Sequence, residues 1–308
     1  MNNVEKPNII VLGGLGFIGS HLIDNLIDQD YFVYIIDNML TSTQRDLEHL
    51  RDRQSENNYM FLRGDAADIA TFDIPDESIR AVFHLGEYSR VNQSISEPFK
   101  VFDNNTRQIS NIIKFCKEHE CQLIYSGSST KFHTDDDWSY TPTPYEMSKK
   151  QNSELVKYWC DLLSIPYAIT YFYNVYGPRE RASGPYGTVI AKFFDAYYKN
   201  DPFQIVLPGN QQRNFTHVYD IVNGLMILMN SYALGDGYAI GAKESYGIEE
   251  IANLIDPDHD IDYLPKRLGD RNSASLNTGL IKHLGWEQNY HLKDYIAETM
   301  FNQKGVQI

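Results

Sequence analysis

The chain has 308 residues, of which 42% are hydrophobic and 22% charged, so it is long enough to bury the core of an ordinary globular protein. A formal net charge of -14 argues against a nucleic-acid partner, because the chain offers no basic excess to neutralise phosphates. The N-terminal residues lack a signal-peptide pattern and no apolar run is long enough to span a membrane, so we expect a cytoplasmic protein without a membrane partner.

The first motif is a glycine-rich turn between a predicted strand and a predicted helix. The apolar run 8–12 is typical of a buried parallel strand, and Gly13, Gly16 and Gly19 follow it. Apolar residues then recur at helical spacing from Phe17 onward. This arrangement predicts a phosphate cradle, because glycines let the backbone approach a pyrophosphate closely at the N-terminus of a helix.

An acidic residue follows the second predicted strand. This strand covers residues 32–36 and ends at Asp37, at roughly the distance where an acid that binds ribose hydroxyls is expected. Together with the glycine turn, Asp37 predicts a dinucleotide site. A carboxylate at this position favours NAD, because it would repel the 2′-phosphate of NADP.

The next elements continue to alternate between strand and helix. Such alternation indicates an α/β fold with a Rossmann-type, doubly wound parallel sheet. We expect strands at 59–62, 81–85, 122–126 and 167–171, and helices at 101–119 and 145–163.

Beyond Asn174 the alternation stops, and Pro, Gly and Arg residues cluster. We therefore expect a Rossmann domain at 1–173 and a smaller substrate-binding lobe at 174–308 that exchanges segments with it. Helices are predicted near 188–199 and 220–231. Ligands of such sheets bind at the carboxyl ends of the strands, so the cleft between the two parts is the expected site.

Two residues suited to proton transfer lie at the start of a predicted helix. Tyr145 and Lys149 are four residues apart, so their side chains share one face. An ammonium group beside a phenol favours the phenolate, the form that a general base for an alcohol needs. The loop Ser126–Ser129 precedes them and brings hydroxyl groups that could hold a substrate oxygen opposite Tyr145.

Further motifs follow in the order found in one protein family. With them, the chain resembles an extended short-chain dehydrogenase/reductase of the nucleotide-sugar epimerase and dehydratase group, and in particular a UDP-glucose 4-epimerase. The likeness runs from Ile10 to about Trp286. The matching stretches are Gly13–Gly19, Asp37–Asn38, Gly64–Asp65, Val82–Leu85, Ser126–Ser128, Tyr145–Lys149, Asn174–Pro178, Arg213–Asp220, Arg267–Asp270 and Leu284–Trp286.

The resemblance implies a role for many of these residues. Tyr145 would be the catalytic base, Lys149 would bind the nicotinamide ribose and tune Tyr145, and Ser128 would bind the reacting hydroxyl. The implied cofactor is NAD, held by Gly13, Gly16, Phe17, Ile18, Gly19, Asp37, Asn38, Asp65, Ala66, Leu85, Gly86, Tyr145 and Lys149. The implied substrate contacts, with both arginines on the diphosphate, are Glu87, Tyr88, Ser128, Ser129, Asn174, Thr188, Val189, Arg213 and Arg267.

The residues after Ser128 discriminate between the reactions of this family. Dehydratases carry an Asp-Glu pair where this chain has Ser129 and Thr130, and decarboxylases carry Glu at the Thr130 position. Both reactions are therefore disfavoured, which leaves epimerisation through a transient ketosugar. The stretch 184–190 resembles the nucleotide-binding segment of UDP-sugar 4-epimerases, which favours a UDP-hexose or its N-acetyl form.

Three alternatives to this reaction remain open at this point. A heptose 6-epimerase or an NADPH-dependent ketosugar reductase would use the same residues. A non-catalytic NAD-bound sensor or scaffold is a more remote alternative, against which the intact Ser128, Tyr145 and Lys149 argue.

The chain departs from the family pattern at several positions. Relatives often carry two alanines where this chain has Gly86 and Glu87, so the Glu87 carboxylate is expected either to reach the cofactor or sugar or to turn into solvent. Tyr171 stands where many relatives carry Arg, and Phe132 where many carry Tyr. Arg179 and Arg181 are expected to be solvated loop charges.

Relatives commonly dimerise through two helices per subunit, which correspond here to 101–119 and 145–163. The resemblance therefore implies a homodimer. Leu155, Tyr158, Trp159 and Leu162 could form the contact face or belong to the core.

Overall fold

A seven-stranded parallel sheet forms the centre of the molecule. The computed structural model describes residues 7–43, 46, 48–50, 53, 57–75, 78–129, 142–184, 187–266 and 276–304. The strands are β1 (Asn8–Leu12), β2 (Val33–Asp37), β3 (Tyr59–Arg63), β4 (Ile79–His84), β5 (Gln122–Ser126), β6 (Tyr167–Phe172), β7 (Val175–Tyr176), β8 (Phe203–Val206), β9 (Gln212–Asn214), β10 (Thr216–His217), β11 (Gly235–Ile240), β12 (Ser245–Gly247) and β13 (Ile261–Leu264).

Helices cover both faces of this sheet. They are α1 (Phe17–Asp28), α2 (Val91–Ser96), α3 (Pro98–Thr106), α4 (Ile109–Glu118), α5 (Pro144–Leu163), α6 (Val189–Lys199), α7 (Val218–Asn230), α8 (Ile248–Ile255), α9 (Gly279–His283) and α10 (Leu292–Lys304), with a 3₁₀ turn at Ala66–Thr71. Within the described ranges, no helix is long and apolar enough to cross a membrane.

The order of the strands confirms the Rossmann-type fold. In the sheet they lie in the order β11-β6-β5-β4-β1-β2-β3, and every neighbouring pair is parallel. Alternate residues of β1 enter different cores because strand side chains point to opposite faces. Ile9 and Val11 pack with residues of α1 and α7, whereas Ile10 and Leu12 pack with residues of α4 and α5. Both faces are therefore buried, which explains the nearly continuous apolar runs of the strands.

The helix predicted at 101–119 is wrong, because two helices, α3 and α4, occupy this stretch. Side-chain amides accompany the break. The Gln108 amide donates to the Asn104 carbonyl, and the Asn152 amide of α5 donates to the Asn105 carbonyl. Side chains that enter the backbone ladder in this way interrupt a helix. The break holds the Asn105 side chain against the start of α5, where its amide donates to the hydroxyl of Ser148.

Residues after 174 form a third core and also return to the sheet. Short strand pairs β7/β10, β9/β12 and β8/β13 surround a core to which α6, α8 and α10 contribute. The chain then goes back to the first part, where α7 packs on α1 and β11 pairs with β6. The Trp286 indole donates to the carbonyl of Asp220, which fixes the later segment to α7.

Candidate active site

A cavity of about 450 Å³ opens at the carboxyl ends of the central strands. Residues that follow β1, β2, β4 and β5 line one side, which we call the cofactor side. Residues of the segment 172–188 line the other, which we call the cap side. This is where a parallel sheet of this kind binds its ligands.

The glycine turn forms the floor of the cofactor side. Gly13 has a φ of +76°, and a Cβ atom there would lie 2.5 Å from the Cα of Gly86. Only glycine fits a backbone conformation and a contact of this kind without displacement. Gly16 is the N-cap of α1, so the first backbone N–H groups of the helix, from Phe17 to Gly19, have no helical acceptor and line the cavity.

Asp37 ends β2 beside this turn. Its carboxylate accepts hydrogen bonds from the backbone N–H of Leu15 at 3.0 Å and from that of Met39 at 2.7 Å. Burial raises the pKa of Asp37, although both N–H groups favour the charged form. The carboxylate is therefore fixed at the edge of the cavity, where it can accept hydroxyl groups of a ribose.

Asp65 does not line the cavity itself but contacts Asn38, which does. Its carboxylate caps the 3₁₀ turn by accepting from the Ala67 N–H at 2.9 Å, and it also contacts Asn38 and Arg107. Burial alone would raise the pKa of Asp65, but these donors lower it. Asn38 and Ala66 line the cavity itself, whereas Asp65 supports them from behind.

The three predicted catalytic side chains come together in the lining of the cavity. A capping box between Thr143 and Glu146 fixes the start of α5, so Tyr145 and Lys149 face β5 on successive turns. The Tyr145 hydroxyl lies 3.3 Å from the Ser128 hydroxyl. The Lys149 ammonium donates to the Ser126 carbonyl at 2.7 Å. All of these groups except Thr143 and Glu146 belong to the cavity lining.

The Glu87 side chain is buried rather than turned into solvent. It is 1% exposed, and its carboxylate lies 2.8 Å from the Lys149 ammonium. It also accepts hydrogen bonds from the Tyr125 hydroxyl and the Asn152 amide, each at 2.9 Å. The carboxylate is therefore enclosed against Lys149, and because Glu87 also belongs to the cavity lining, its contact with the substrate stays a prediction.

The other predicted residues divide into three groups. Leu85, Gly86, Tyr88, Ser129, Asn174 and Thr188 line the cavity. Val189 begins α6 next to Thr188, and Arg213 lies on β9, where it donates to the Gln212 carbonyl; neither belongs to the lining. Arg267, the second predicted diphosphate ligand, lies outside the described residues, as do Thr130 and Phe132.

Two arginines of the cavity lining were not predicted as site residues. Arg90 precedes α2, and Arg181 lies on the cap side, where it pairs with Asp46 at 2.7 Å and donates to the Thr41 carbonyl. Arg181 was expected to be a solvated loop charge. Its proximity to Thr41 depends on how the cap folds back on the sheet, so no local pattern could have indicated it.

The described residues fit a dinucleotide cofactor. A Cβ atom at Gly13 would collide with the backbone of Gly86, so glycine keeps the turn in a shape that a phosphate can approach closely. The start of α1 offers free N–H groups to such a phosphate. Asp37 stands where a ribose would be held, and Lys149 reaches the same cavity.

Comparisons with known proteins identify the family of the chain. Residues 9–241 match the NAD-dependent epimerase/dehydratase family. A protein of Methanocaldococcus jannaschii, provisionally named a UDP-glucose 4-epimerase, is 28% identical over 311 residues, which cover 95% of this chain and 97% of that protein.

Solved structures with the same fold cover nearly the whole chain. A UDP-N-acetylglucosamine 4-epimerase from Methanobrevibacter ruminantium, solved with UDP-N-acetylmuramic acid, has a TM-score of 0.84 at 25% identity and covers 98% of this chain and 100% of its own. The UDP-glucose 4-epimerase of Thermotoga maritima, solved with UDP-glucose, has a TM-score of 0.83 at 23% identity, with 96% of this chain and 99% of that chain covered.

Proposed function

Because this chain belongs to the NAD-dependent epimerase/dehydratase family, we propose that it is a nucleotide-sugar epimerase that inverts C4 of a UDP-hexose or a UDP-N-acetylhexosamine. The observation that carries the proposal is the meeting of Ser128, Tyr145 and Lys149 in the lining of one cavity, next to the glycine turn. The names of the relatives, which are UDP-sugar 4-epimerases, support the choice of substrate.

Ser128, Tyr145 and Lys149 can together carry out proton transfer at a sugar hydroxyl. Tyr145 accepts the proton of this hydroxyl and later returns it, and Ser128, whose hydroxyl lies 3.3 Å from that of Tyr145, holds the sugar oxygen. Lys149 holds the nicotinamide ribose and favours the phenolate form of Tyr145. NAD, which the glycine turn, Asp37 and Lys149 would hold, would supply the acceptor and donor of the hydride in this reaction.

The residues beside Ser128 support epimerisation rather than elimination. Ser129 lines the cavity and Thr130 follows it in the sequence. Neither is a carboxylic acid, so the site lacks the acid–base pair that a dehydratase needs at these positions. The ketosugar is therefore expected to be reduced again in place.

The substrate diphosphate and nucleotide are proposed to lie on the cap side. Asn174 and Thr188 line the cavity there, and Arg181 adds a positive charge. Arg213 and Arg267 remain proposed diphosphate ligands. Guanidinium groups suit this role because they present two parallel donors to phosphate oxygens.

We also propose that the protein is a homodimer. Tyr158, Trp159 and Leu162 form an exposed apolar strip on α5, and Phe99 is exposed on the neighbouring α3. Leu155, in contrast, packs towards the sheet core. An exposed strip of this kind on two adjacent helices fits a second copy of the chain. Light scattering should give twice the chain mass, and Trp159→Glu combined with Leu162→Glu should give the monomer.

The experiment that tests the function is a panel of UDP-, GDP-, ADP- and dTDP-sugars with NMR identification of the products. We expect a UDP-hexose or UDP-N-acetylhexosamine to convert to its C4 epimer without added reductant. Stoichiometric consumption of NADPH would instead indicate a reductase. Absence of turnover across the panel would favour a sensor or scaffold.

The role of Tyr145 is tested by Tyr145→Phe. Loss of the base should lower kcat by about 10²–10⁴-fold. Tyr232→Phe is the matched control, because this tyrosine follows α7 with its side chain exposed to solvent and lies outside the strip proposed for the dimer contact. If Tyr145→Phe keeps turnover within about tenfold of the wild type, which corresponds to about 1.4 kcal/mol, the assignment of the base is wrong.

A further inference from the structure

A cluster of buried polar side chains lies directly behind Lys149. Glu87 is its centre and follows β4, which contributes His84, while Tyr125 comes from β5 and Asn152 from α5. The His84 ring lies 3.4 Å from the Glu87 carboxylate, and its side chain is fully buried. Three elements of the cofactor side thus meet around one carboxylate.

The Glu87 carboxylate is held in its charged form. Burial would by itself raise its pKa, but the Lys149 ammonium and the His84 ring lower the pKa of Glu87 to about 2. A buried charge is tolerated only when a counter-charge and hydrogen bonds replace water. The cluster supplies both, since Tyr125 and Asn152 donate to one carboxylate oxygen and Lys149 contacts the other.

The cluster also restricts the direction of the Lys149 ammonium group. An ammonium has three N–H donors. One of them is directed to the Ser126 carbonyl and one to Glu87, at 2.7 Å and 2.8 Å. Among the described residues no further acceptor is in contact with it, and Lys149 lines the cavity, so the third N–H is available there.

We propose that Glu87 is a positioning residue, which keeps Lys149 protonated and aimed at the cofactor through a buried ion pair. This proposal rests on the proposed function, in which Lys149 holds the nicotinamide ribose and favours the phenolate of Tyr145. The pair also reduces the net positive charge near Tyr145, because the carboxylate offsets the ammonium. Glu87 therefore sets the pH range over which the site works.

A purely structural role would not require the charge. Glutamine has nearly the same shape as glutamate, and its one oxygen, in place of the carboxylate oxygen beside Lys149, could still accept from Lys149 and from the Tyr125 hydroxyl, which lies 3.0 Å from that oxygen. What glutamine cannot provide is the negative charge beside a nearly buried ammonium. Glu87→Gln therefore separates the charge of Glu87 from its packing.

The first test follows NADH binding across a pH series by the fluorescence of the bound nucleotide. When a negative charge is removed, neighbouring groups lose their protons at lower pH, typically by about one to three units for a close pair. We therefore expect the alkaline decline of NADH affinity in Glu87→Gln to move to lower pH by at least about one unit. An unchanged alkaline midpoint would overturn the proposal.

Tyr125→Phe is the matched control for this measurement. It removes a neutral donor from the same carboxylate and leaves the charge in place. The pH midpoint of the alkaline decline in NADH affinity should be the same in Tyr125→Phe as in the wild type, even if the substitution changes the affinity itself. A shift as large as that of Glu87→Gln would mean that lost contacts, not charge, cause the effect, and this result also counts against the proposal.

A second test uses Lys149→Met and does not need Glu87→Gln to fold alone. Without Lys149, the buried Glu87 carboxylate lacks its counter-charge and should bind a proton in the folded state. The thermal stability of Lys149→Met should then fall, relative to the wild type, between about pH 5 and about pH 8. Adding Glu87→Gln should remove this pH dependence. Identical pH responses of the single and double variants would contradict the ion pair.

Neither test uses a nucleotide sugar. If both shifts occur but no sugar is turned over, the proposed function fails and the role of Glu87 at Lys149 remains. If the chain epimerises a UDP-sugar but neither shift occurs, the function stands and the proposal for Glu87 is wrong.

Discussion

The cofactor side and the cap segment 172–188 each contain a largely buried carboxylate, and the pKa values of the two carboxylates shift in opposite directions. On the cofactor side, Glu87 has an ammonium partner and two further donors, and its pKa lies near 2. On the cap side, Glu180 accepts from the Gly177 N–H at 3.0 Å and forms no direct ion pair within the described residues. Burial therefore raises the pKa of Glu180 to about 7. Partners, rather than depth of burial, decide the charge of each group.

This difference reflects how the two sides are built. The cofactor side stands at the ends of parallel strands, whose register fixes the backbone and brings Glu87, Tyr125 and Lys149 together. The cap side consists of loops and the short strand β7, and the ion pair of Arg181 with Asp46 joins it to the segment after β2. We therefore expect substitutions on the cofactor side to lower the affinity for the cofactor strongly. Substitutions on the cap side should change this affinity less or should change the stability of the folded protein instead.

The largest effect is expected where the cofactor side is tightest, at Gly13. The Cβ atom of Gly13→Ala would lie 2.5 Å from the Cα of Gly86, in a backbone conformation that also disfavours a side chain. One of these two backbone segments must move, which deforms the phosphate cradle. NADH affinity, measured by fluorescence titration, should fall by at least about a hundredfold, or about 2.7 kcal/mol.

Gly285→Ala is the control for this prediction. Gly285 also has a positive φ, +90°, but a Cβ atom there would meet no atom within 4 Å. It should lower thermal stability slightly and leave NADH affinity unchanged. If Gly13→Ala binds NADH as the wild type does, the assignment of the turn as a phosphate cradle is wrong.

The next largest effect is expected from Glu180→Gln. A carboxyl group whose pKa is higher in the folded state than its ordinary value of 4.5 favours folding most at low pH. The folded state therefore loses stability as the pH rises from about 4.5 to about 7. Glutamine can still accept from the Gly177 N–H but does not ionise, so the variant should be more stable than the wild type by about 2 kcal/mol above neutral pH.

Chemical denaturation at a low and a high pH measures this difference. The two proteins should unfold at similar denaturant concentrations near pH 4, where both side chains are neutral, and separate as the pH rises. An equal advantage at both pH values would assign the effect to packing rather than to the charge of Glu180, and would remove the contrast with Glu87.

Most of the cofactor side could be predicted from the sequence, because its signals are local. The glycine turn, Asp37 and the Tyr145–Lys149 spacing each lie within one strand, turn or helix, and the backbone of that element determines their geometry. The parallel, doubly wound sheet was predicted from the alternation of strands and helices, and the structure confirms it. The break between α3 and α4 was not predicted, because one of the side-chain amides that bond to the backbone there, that of Asn152, belongs to a helix distant in sequence.

The direction of Glu87 and the position of Arg181 could not be predicted in this way. Glu87 turns inward because Tyr125 and Asn152, which are far from it in sequence, offer donors behind Lys149. Arg181 reaches Thr41 because the cap folds over the loop after β2. Both depend on contacts between distant segments, about which neither periodicity nor spacing gives information.

A smaller effect is expected at Asp37, which tests how the cofactor side chooses its ligand. Asp37→Ala removes the carboxylate that would accept ribose hydroxyls and repel a 2′-phosphate. NADH affinity should fall by about tenfold, or about 1.4 kcal/mol, while NADPH affinity should hold or rise. The ratio of the two affinities is the readout, because a general loss of stability would lower both. An unchanged ratio would show that Asp37 does not face the adenosine ribose.

The smallest effect is expected at Arg181, which connects the cap side to the cofactor side. Its partly exposed pair with Asp46 should contribute less than about 1 kcal/mol, since solvent screens such pairs. Arg181→Ala should therefore lower NADH affinity only about threefold, by loosening the loop at Thr41. Arg179→Ala provides the comparison. Arg179 lies on the same loop as Arg181 and pairs with Asp24 of α1, but it does not line the cavity. It should leave NADH affinity unchanged. Equal losses of NADH affinity in both variants would mean that the loop contributes as a whole. A loss above about tenfold for Arg181→Ala alone would make Arg181 a direct ligand, and substitutions on the cap side would then affect cofactor binding as strongly as those on the cofactor side.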